Sequence, residues 1–158
     1  MIHVVIGQSG SGKTTYVRQR WLRGATEVLY AYPVPVTKCC EAYLIGIYDD
    51  QRRELGTDKL PYNALPRIIS TVDMLAGSEL VMEGDRINNR RMFDHLVMRR
   101  YPFGLILCRC PIDVSMARLG ASGSMITRRF VQATATKSRN NFLAYSARAA
   151  YAEVVETA

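Results

Sequence analysis

Eight consecutive residues near the N-terminus carry the densest chemistry of the chain: Gly7-Gln8-Ser9-Gly10-Ser11-Gly12-Lys13-Thr14. They match G-x-x-x-x-G-K-[ST] at every fixed position, the pattern of a loop that wraps phosphates. Glycines let successive backbone N–H groups turn inward and approach phosphate oxygens closely. The helix expected to follow adds the positive end of its dipole. Lys13 reaches the β- and γ-phosphates of a nucleoside triphosphate, and the Thr14 hydroxyl is placed to ligate Mg2+. The expected nucleotide-binding set is Gly7, Ser9, Gly10, Ser11, Gly12, Lys13, Thr14 and Thr15, with ATP as the nucleotide and Mg2+ as the metal.

A phosphate loop needs an acid to hold the metal, directly or through water. Glu83 is placed for this, at the end of the apolar run Leu80-Val81-Met82. Asp85 and Arg86 follow at the rim where substrate phosphates should sit, unless Asp85 or Asn88 merely caps the next helix. Transfer to a hydroxyl also needs a carboxylate to orient that hydroxyl or take its proton. Asp49, Asp50 and Asp58 lie in a polar stretch without a period, and long polar loops are commonly functional. Asp58, after the flexible Gly56-Thr57, is favoured over Asp50 as the acceptor-side acid. Asp49 and Asp50 are assigned to acceptor binding.

Charge is distributed unevenly. The chain of 158 residues carries 21 Lys and Arg against 14 Asp and Glu, a net charge of +7. Residues 1–79 hold nine basic and eight acidic groups, and residues 80–158 hold twelve and six. A polyanion should therefore meet mainly the second half. Arg118, the small residues Gly120 to Ser124, and Arg128-Arg129 read as a lid over roughly 118–129 that brings charge to a transition state. Arg90-Arg91 is a candidate substrate or nucleic-acid contact. Lys137-Ser138-Arg139-Asn140 reads as a break in a helical pattern, with Lys137 towards the acceptor and Arg139 towards the nucleotide base.

The elements that must position these residues alternate. Ile2–Ile6 is a β-branched run of the kind found in buried parallel strands. A helix follows the loop and stops at Gly24. Further strands are expected over 27–32, 42–48, 79–83 and 103–108. Helices are expected over 62–75, 89–101 and 112–119, with most of 126–155 helical. Alternation of this kind predicts an α/β fold of three layers with a parallel sheet flanked by helices, and the octapeptide between its first strand and helix makes the expected fold that of a P-loop NTPase. Ligands then bind at the carboxyl ends of the strands. The length suits a single domain over residues 1–158. The cysteines, Cys39-Cys40 and Cys108-x-Cys110, lack zinc spacing and read as reduced thiols in a cytoplasmic protein, without a structural metal. No stretch is long and apolar enough to span a membrane. The oligomeric state is left open.

These motifs together resemble the small P-loop kinases of nucleosides, nucleotides and polynucleotides. Tyr48-Asp49, Gly56-Thr57-Asp58 and Thr136-Lys137-Ser138-Arg139-Asn140 are similar to segments of the bacteriophage 5-hydroxymethyluracil DNA kinases. That family phosphorylates the hydroxymethyl group of a modified base within DNA. The resemblance implies an ATP- and Mg2+-dependent enzyme acting on a DNA acceptor in the host cytoplasm. The residues themselves leave two rivals open: a kinase of free nucleosides or nucleoside monophosphates, and a nucleotide switch with no acceptor.

Overall fold

In a computed structural model, residues 1–40, 42–48, 56–57 and 60–157 are described. Seven strands form one sheet in the order β2-β3-β4-β5-β1-β6-β7. They are β1 (Ile2–Gly7), β2 (Thr26–Leu29), β3 (Val36–Cys39), β4 (Ala42–Ile45), β5 (Glu79–Glu83), β6 (Phe103–Arg109) and β7 (Tyr151–Glu156). The helices are α1 (Lys13–Trp21), α2 (Leu65–Leu75), α3 (Arg90–Met98), α4 (Ile112–Ala121) and α5 (Arg128–Tyr145).

The five strands β4-β5-β1-β6-β7 run parallel, and β1 lies at their centre. β1 is buried along its whole length, as its unbroken apolar sequence requires of a strand covered on both faces. Ile2, Val4 and Ile6 face one core with Ile68 and Val72 of α2, Met92, Phe93 and Leu96 of α3, and Tyr145 of α5. Val5 faces the other core, with Val17 of α1. The result is helices, sheet and helix in three layers. The first-turn chain reversal after β1 therefore opens at the carboxyl ends of the central strands, where β5 and β6 also end.

The sheet departs from the all-parallel expectation at one edge. β2, β3 and β4 form an antiparallel meander. Six residues separate β2 from β3 and two separate β3 from β4, too few for the crossover that parallel strands need. β3 was not anticipated, because its four residues sit between proline and cysteine pairs that read as loop. The last segment also differs: α5 ends at Tyr145, and residues 151–156 form β7 rather than helix. Its alternating burial is that of a half-covered edge strand, a period-2 signal too short to stand out after a long helix. Among the described residues no helix is long and apolar enough to cross a membrane.

α2 and α3 are clamped at their ends by one carboxylate. Asp73 accepts hydrogen bonds from His95 Nε2 at 2.7 Å, the Tyr101 hydroxyl at 3.0 Å and Arg99 at 3.4 Å. Burial pushes the Asp73 carboxyl up, but these three donors outweigh it and hold the group below its ordinary value. A depressed carboxylate contributes stability above its unfolded value near 4 and loses it as pH falls through the folded value. Asp73→Asn should therefore cost about 1–2 kcal/mol at pH 7 and less below about pH 4. Thermal unfolding at both pH values checks this; an equal loss at both would contradict the clamp.

Candidate active site

The glycine-rich loop closes directly from β1 into α1. Gly12 caps the helix, and its carbonyl accepts from Tyr16 N at 2.9 Å. Gly10 has φ +76, and a Cβ there would lie 2.7 Å from the Ser115 carbonyl oxygen, so the position admits only glycine. The loop is held from several sides. Gln8 Nε2 donates to the Cys110 carbonyl at 2.8 Å and to Ser115 Oγ at 2.9 Å. Ser9 N donates to Thr134 Oγ1 of α5 at 3.4 Å. Arg118 of α4 donates to the Gly10 carbonyl at 3.3 Å, and the Thr157 hydroxyl to the Ser11 carbonyl at 2.7 Å. Gln8 occupies a variable position of the octapeptide, and Ser115, Thr134 and Thr157 carry no motif. Only their place in the fold reveals that they shape the loop.

Lys13 is 7% exposed, and its ammonium donates to the carbonyls of Gly7 at 3.2 Å and Gln8 at 2.9 Å. Thr14 Oγ1 donates to Glu83 Oε1 at 2.8 Å. The pairing follows from the sheet register, in which Val5 of β1 stands opposite Glu83 of β5. Glu83 is 1% exposed and also accepts from the Tyr48 hydroxyl at 3.3 Å. Beneath the loop, Cys108 is buried on β6, and burial pushes its thiol up to about 12, so it stays protonated.

The backbone of Gly56 lies against the Glu83 carboxylate. Its φ is +96, and a Cβ there would stand 2.3 Å from Glu83 Oε1. The Thr57 hydroxyl donates to the Glu83 carbonyl. Gly56-Thr57 is thus a buried brace for the acid, not the flexible spot expected from its composition. Gly56→Ala should displace Glu83 and lower stability by about 2 kcal/mol or more, through strain at positive φ and overpacking. A melting temperature within 1 °C of the parent's, on the scale of about 2–4 °C per kcal/mol, would contradict it.

A cavity of about 550 Å³ opens over the loop, with Lys13, Thr14 and Thr15 on its floor and Arg118, Ser122 and Ile126 on its wall. A second cavity of about 380 Å³ shares Gly12, Thr15 and Arg118 and extends past Tyr16 and Gln19 to Thr157.

Other residues predicted from sequence are placed less uniformly. Arg118 reaches the loop. Arg128 is exposed and paired to Asp113 at 2.6 Å, and Arg129 is exposed beside it; neither lines the loop cavity. The helix α4 continues through Gly120 and Ala121, so only residues 122–127 separate it from α5. Asp85 pairs with Lys137 at 2.9 Å, which ties the end of β5 to α5. Lys137, Ser138, Arg139 and Asn140 do not break a helix. They lie inside α5, where Ser138 is buried and accepts from the Asn88 side-chain amide at 2.9 Å. Arg139 is exposed and lines neither of the two cavities; it borders a third, of about 160 Å³, with Gln8, Arg109 and Cys110. The helix after β5 is capped by Asn89, whose side chain accepts from Arg91 N at 2.9 Å, and not by Asp85 or Asn88. Arg90 is exposed on α3. Asp49, Asp50 and Asp58 lie outside the described residues. Among the described residues no group of three or more His, Cys, Asp or Glu could hold a metal ion, and the four cysteines are free.

The central parallel strands, the glycine-rich loop between β1 and α1, and the acid at the end of the adjacent strand define a P-loop fold of the α/β class. No protein-family model matches the chain, and no curated protein matches its sequence. Solved structures that are similar to it include the deoxyadenosine kinase from M. mycoides with bound dCTP, 11% identical, with a TM-score of 0.48 over 99% of this chain and 90% of that one. The same enzyme with the products dCMP and a flexible dCDP bound is 11% identical, with a TM-score of 0.44 over 98% and 90%.

Proposed function

We propose that this protein is an ATP-dependent kinase that transfers the γ-phosphate to a hydroxyl of a nucleoside unit. The observation that carries this reading is the contact between Thr14 and Glu83 at 2.8 Å, beside the buried Lys13 ammonium. A hydroxyl and a carboxylate, both hard oxygen donors, fit Mg2+. Thr14 and Glu83 would hold the metal, which draws charge from the transferring phosphoryl oxygens when bound. Lys13 is placed to exchange its two carbonyl partners for phosphate oxygens. Arg118 sits at the border of the two cavities, so the phosphates are assigned to the first and the base and sugar to the second. Arg128 and Arg129 would join Arg118 at the phosphates only if the 118–129 segment closes as a lid over the single kinase domain. Asp58 is assigned to the acceptor hydroxyl, with Asp49, Asp50, Asp85, Arg86 and Lys137 on the acceptor side. Arg139 is assigned to the nucleotide from the third cavity, which it shares with Gln8 of the loop.

The simplest acceptor is a free nucleoside or nucleoside monophosphate, which needs nothing beyond these groups. A second reading is the hydroxymethyl group of 5-hydroxymethyluracil in DNA. The observation that favours it is the exposed basic surface of α3 and its C-terminal turn, where Arg90, Arg91 and Arg100 are solvent-facing. Such charge supplies affinity for a phosphate backbone without reading sequence. A base held in duplex would have to be extruded to reach Glu83.

Radiolabelled ATP incubated with free nucleosides, with ordinary DNA and with hydroxymethyluracil DNA separates these readings. Label in a free nucleoside supports the first and label in modified DNA the second. Hydrolysis without transfer to any acceptor would overturn the kinase. If DNA is the acceptor, Arg90→Glu with Arg91→Glu should weaken DNA binding by at least about tenfold and flatten its salt dependence. Unchanged binding would place the DNA on another face.

A further inference from the structure

Tyr62 is the most exposed aromatic ring among the described residues, at 89%. It sits in the turn just before α2, closed by Ala64 N donating to the Pro61 carbonyl at 3.0 Å. An exposed ring in a turn ordinarily samples several rotamers. Here one face is covered: the Arg86 guanidinium lies 3.9 Å from the ring centroid. Arg86 is itself anchored, its Nε donating to the Leu60 carbonyl at 3.2 Å. The backbone that carries Arg86 is fastened too. Asp85 pairs with Lys137, and Asn88 exchanges hydrogen bonds with Ser138 and Asn141 at 2.9 and 2.8 Å. The ring is thus held flat from behind by Arg86, which follows Glu83 by three residues, and is open in front.

We propose that the open face of Tyr62, backed by Arg86, is a stacking platform for the nucleobase of the acceptor. Every nucleobase presents a π-face, and a pre-oriented ring binds it with little loss of side-chain freedom. The platform lies at the carboxyl ends of the strands, at the rim where Glu83 marks the phosphoryl-transfer centre. Its assignment to the acceptor, rather than to ATP, rests on the kinase reading, because neither Tyr62 nor Arg86 lines the two nucleotide cavities.

The test measures base binding separately from transfer. Tyr62→Ala should weaken binding of 5-hydroxymethyl-2′-deoxyuridine, or of a single-stranded oligonucleotide carrying that base, by roughly tenfold or more. ATP affinity should be unchanged, and Tyr62→Phe should retain acceptor binding within about threefold. Tyr62→Trp should add an emission, absent from the parent with its Trp21 alone, that the nucleoside or the oligonucleotide quenches. Comparing the two ligands shows whether the base arrives free or in a polymer. Quenching without phosphate transfer by the parent protein would uphold the platform and overturn the kinase. Acceptor affinity unaltered in Tyr62→Ala would overturn the platform, as would a parent protein that binds neither ligand, whatever its kinase activity.

Discussion

Lys13→Ala is expected to lower phosphoryl transfer by at least about 10²–10³-fold and to leave the fold standing. The ammonium is a unit charge held in a nearly dry loop, where electrostatic interactions are strong. In this structure its hydrogen bonds go to the carbonyls of Gly7 and Gln8, so it sits where β- and γ-phosphate oxygens would meet the loop amides. Charge that develops on those oxygens in the transition state would lose its nearest fixed cation. The structural cost is smaller, about 1–3 kcal/mol for two carbonyls that lose a donor. Lys13→Arg should not rescue the rate, since a planar guanidinium cannot occupy the place of a compact ammonium. Single-turnover rates, with circular dichroism as the control for folding, measure both effects. Retained transfer in Lys13→Ala would sink the assignment of the loop.

Glu83→Gln should have the second largest effect, a fall of about 10²-fold or more in transfer at limiting Mg2+, with partial recovery at high Mg2+. The amide keeps the volume of the side chain, so the close fit against Gly56 survives. It also keeps one acceptor oxygen for the hydroxyls of Thr14 and Tyr48. What disappears is the negative charge, and with it the pull on a divalent cation. A metal titration of the rate distinguishes this from general damage, which would lower the rate equally at every Mg2+ concentration. An unchanged metal dependence would transfer the role to another acid.

The two effects differ in how far each residue could be read without the fold. Lys13 is fixed within its own octapeptide, because backbone amides, cation and helix dipole must be contiguous to wrap a phosphate. Glu83 was legible from a short apolar run ending in an acid, since ligands gather at the carboxyl ends of parallel strands. Its neighbours were not. Tyr48 and Gly56 reach Glu83 from distant positions, and neither polarity nor period marks them. Thr57 read as part of a flexible spot before Asp58, and its hydrogen bond to the Glu83 carbonyl makes it a brace. Arg128 and Arg129 read as partners of Arg118, but an ion pair to Asp113 holds Arg128 at the outside of the α4–α5 connection. Composition places such charges near one another and says nothing about where they point.

Elements divide along the same line. Apolar runs over β1, β5 and β6 and the periodic faces of α2 and α3 determined a three-layer α/β architecture, because each must bury its apolar side on a common sheet. The order of strands, the antiparallel edge β2-β3-β4 and the final strand β7 were decided by pairing partners far apart in the chain. Pairing is a long-range property that short polar or alternating segments do not announce.

By itself, then, the sequence determined a phosphate-binding loop, an acid at the end of a neighbouring strand and a basic second half, since local backbone chemistry suffices for each. Tertiary structure alone decided that Glu83 meets Thr14 and that Gln8, Ser115, Thr134 and Thr157 shape the loop. It alone decided that Arg86 holds Tyr62 flat and that α5 runs unbroken through Lys137 and Arg139. The side-chain contacts are meetings of residues from separate elements, which only the closing of the fold brings together, and the unbroken α5 is held by its buried face against the sheet.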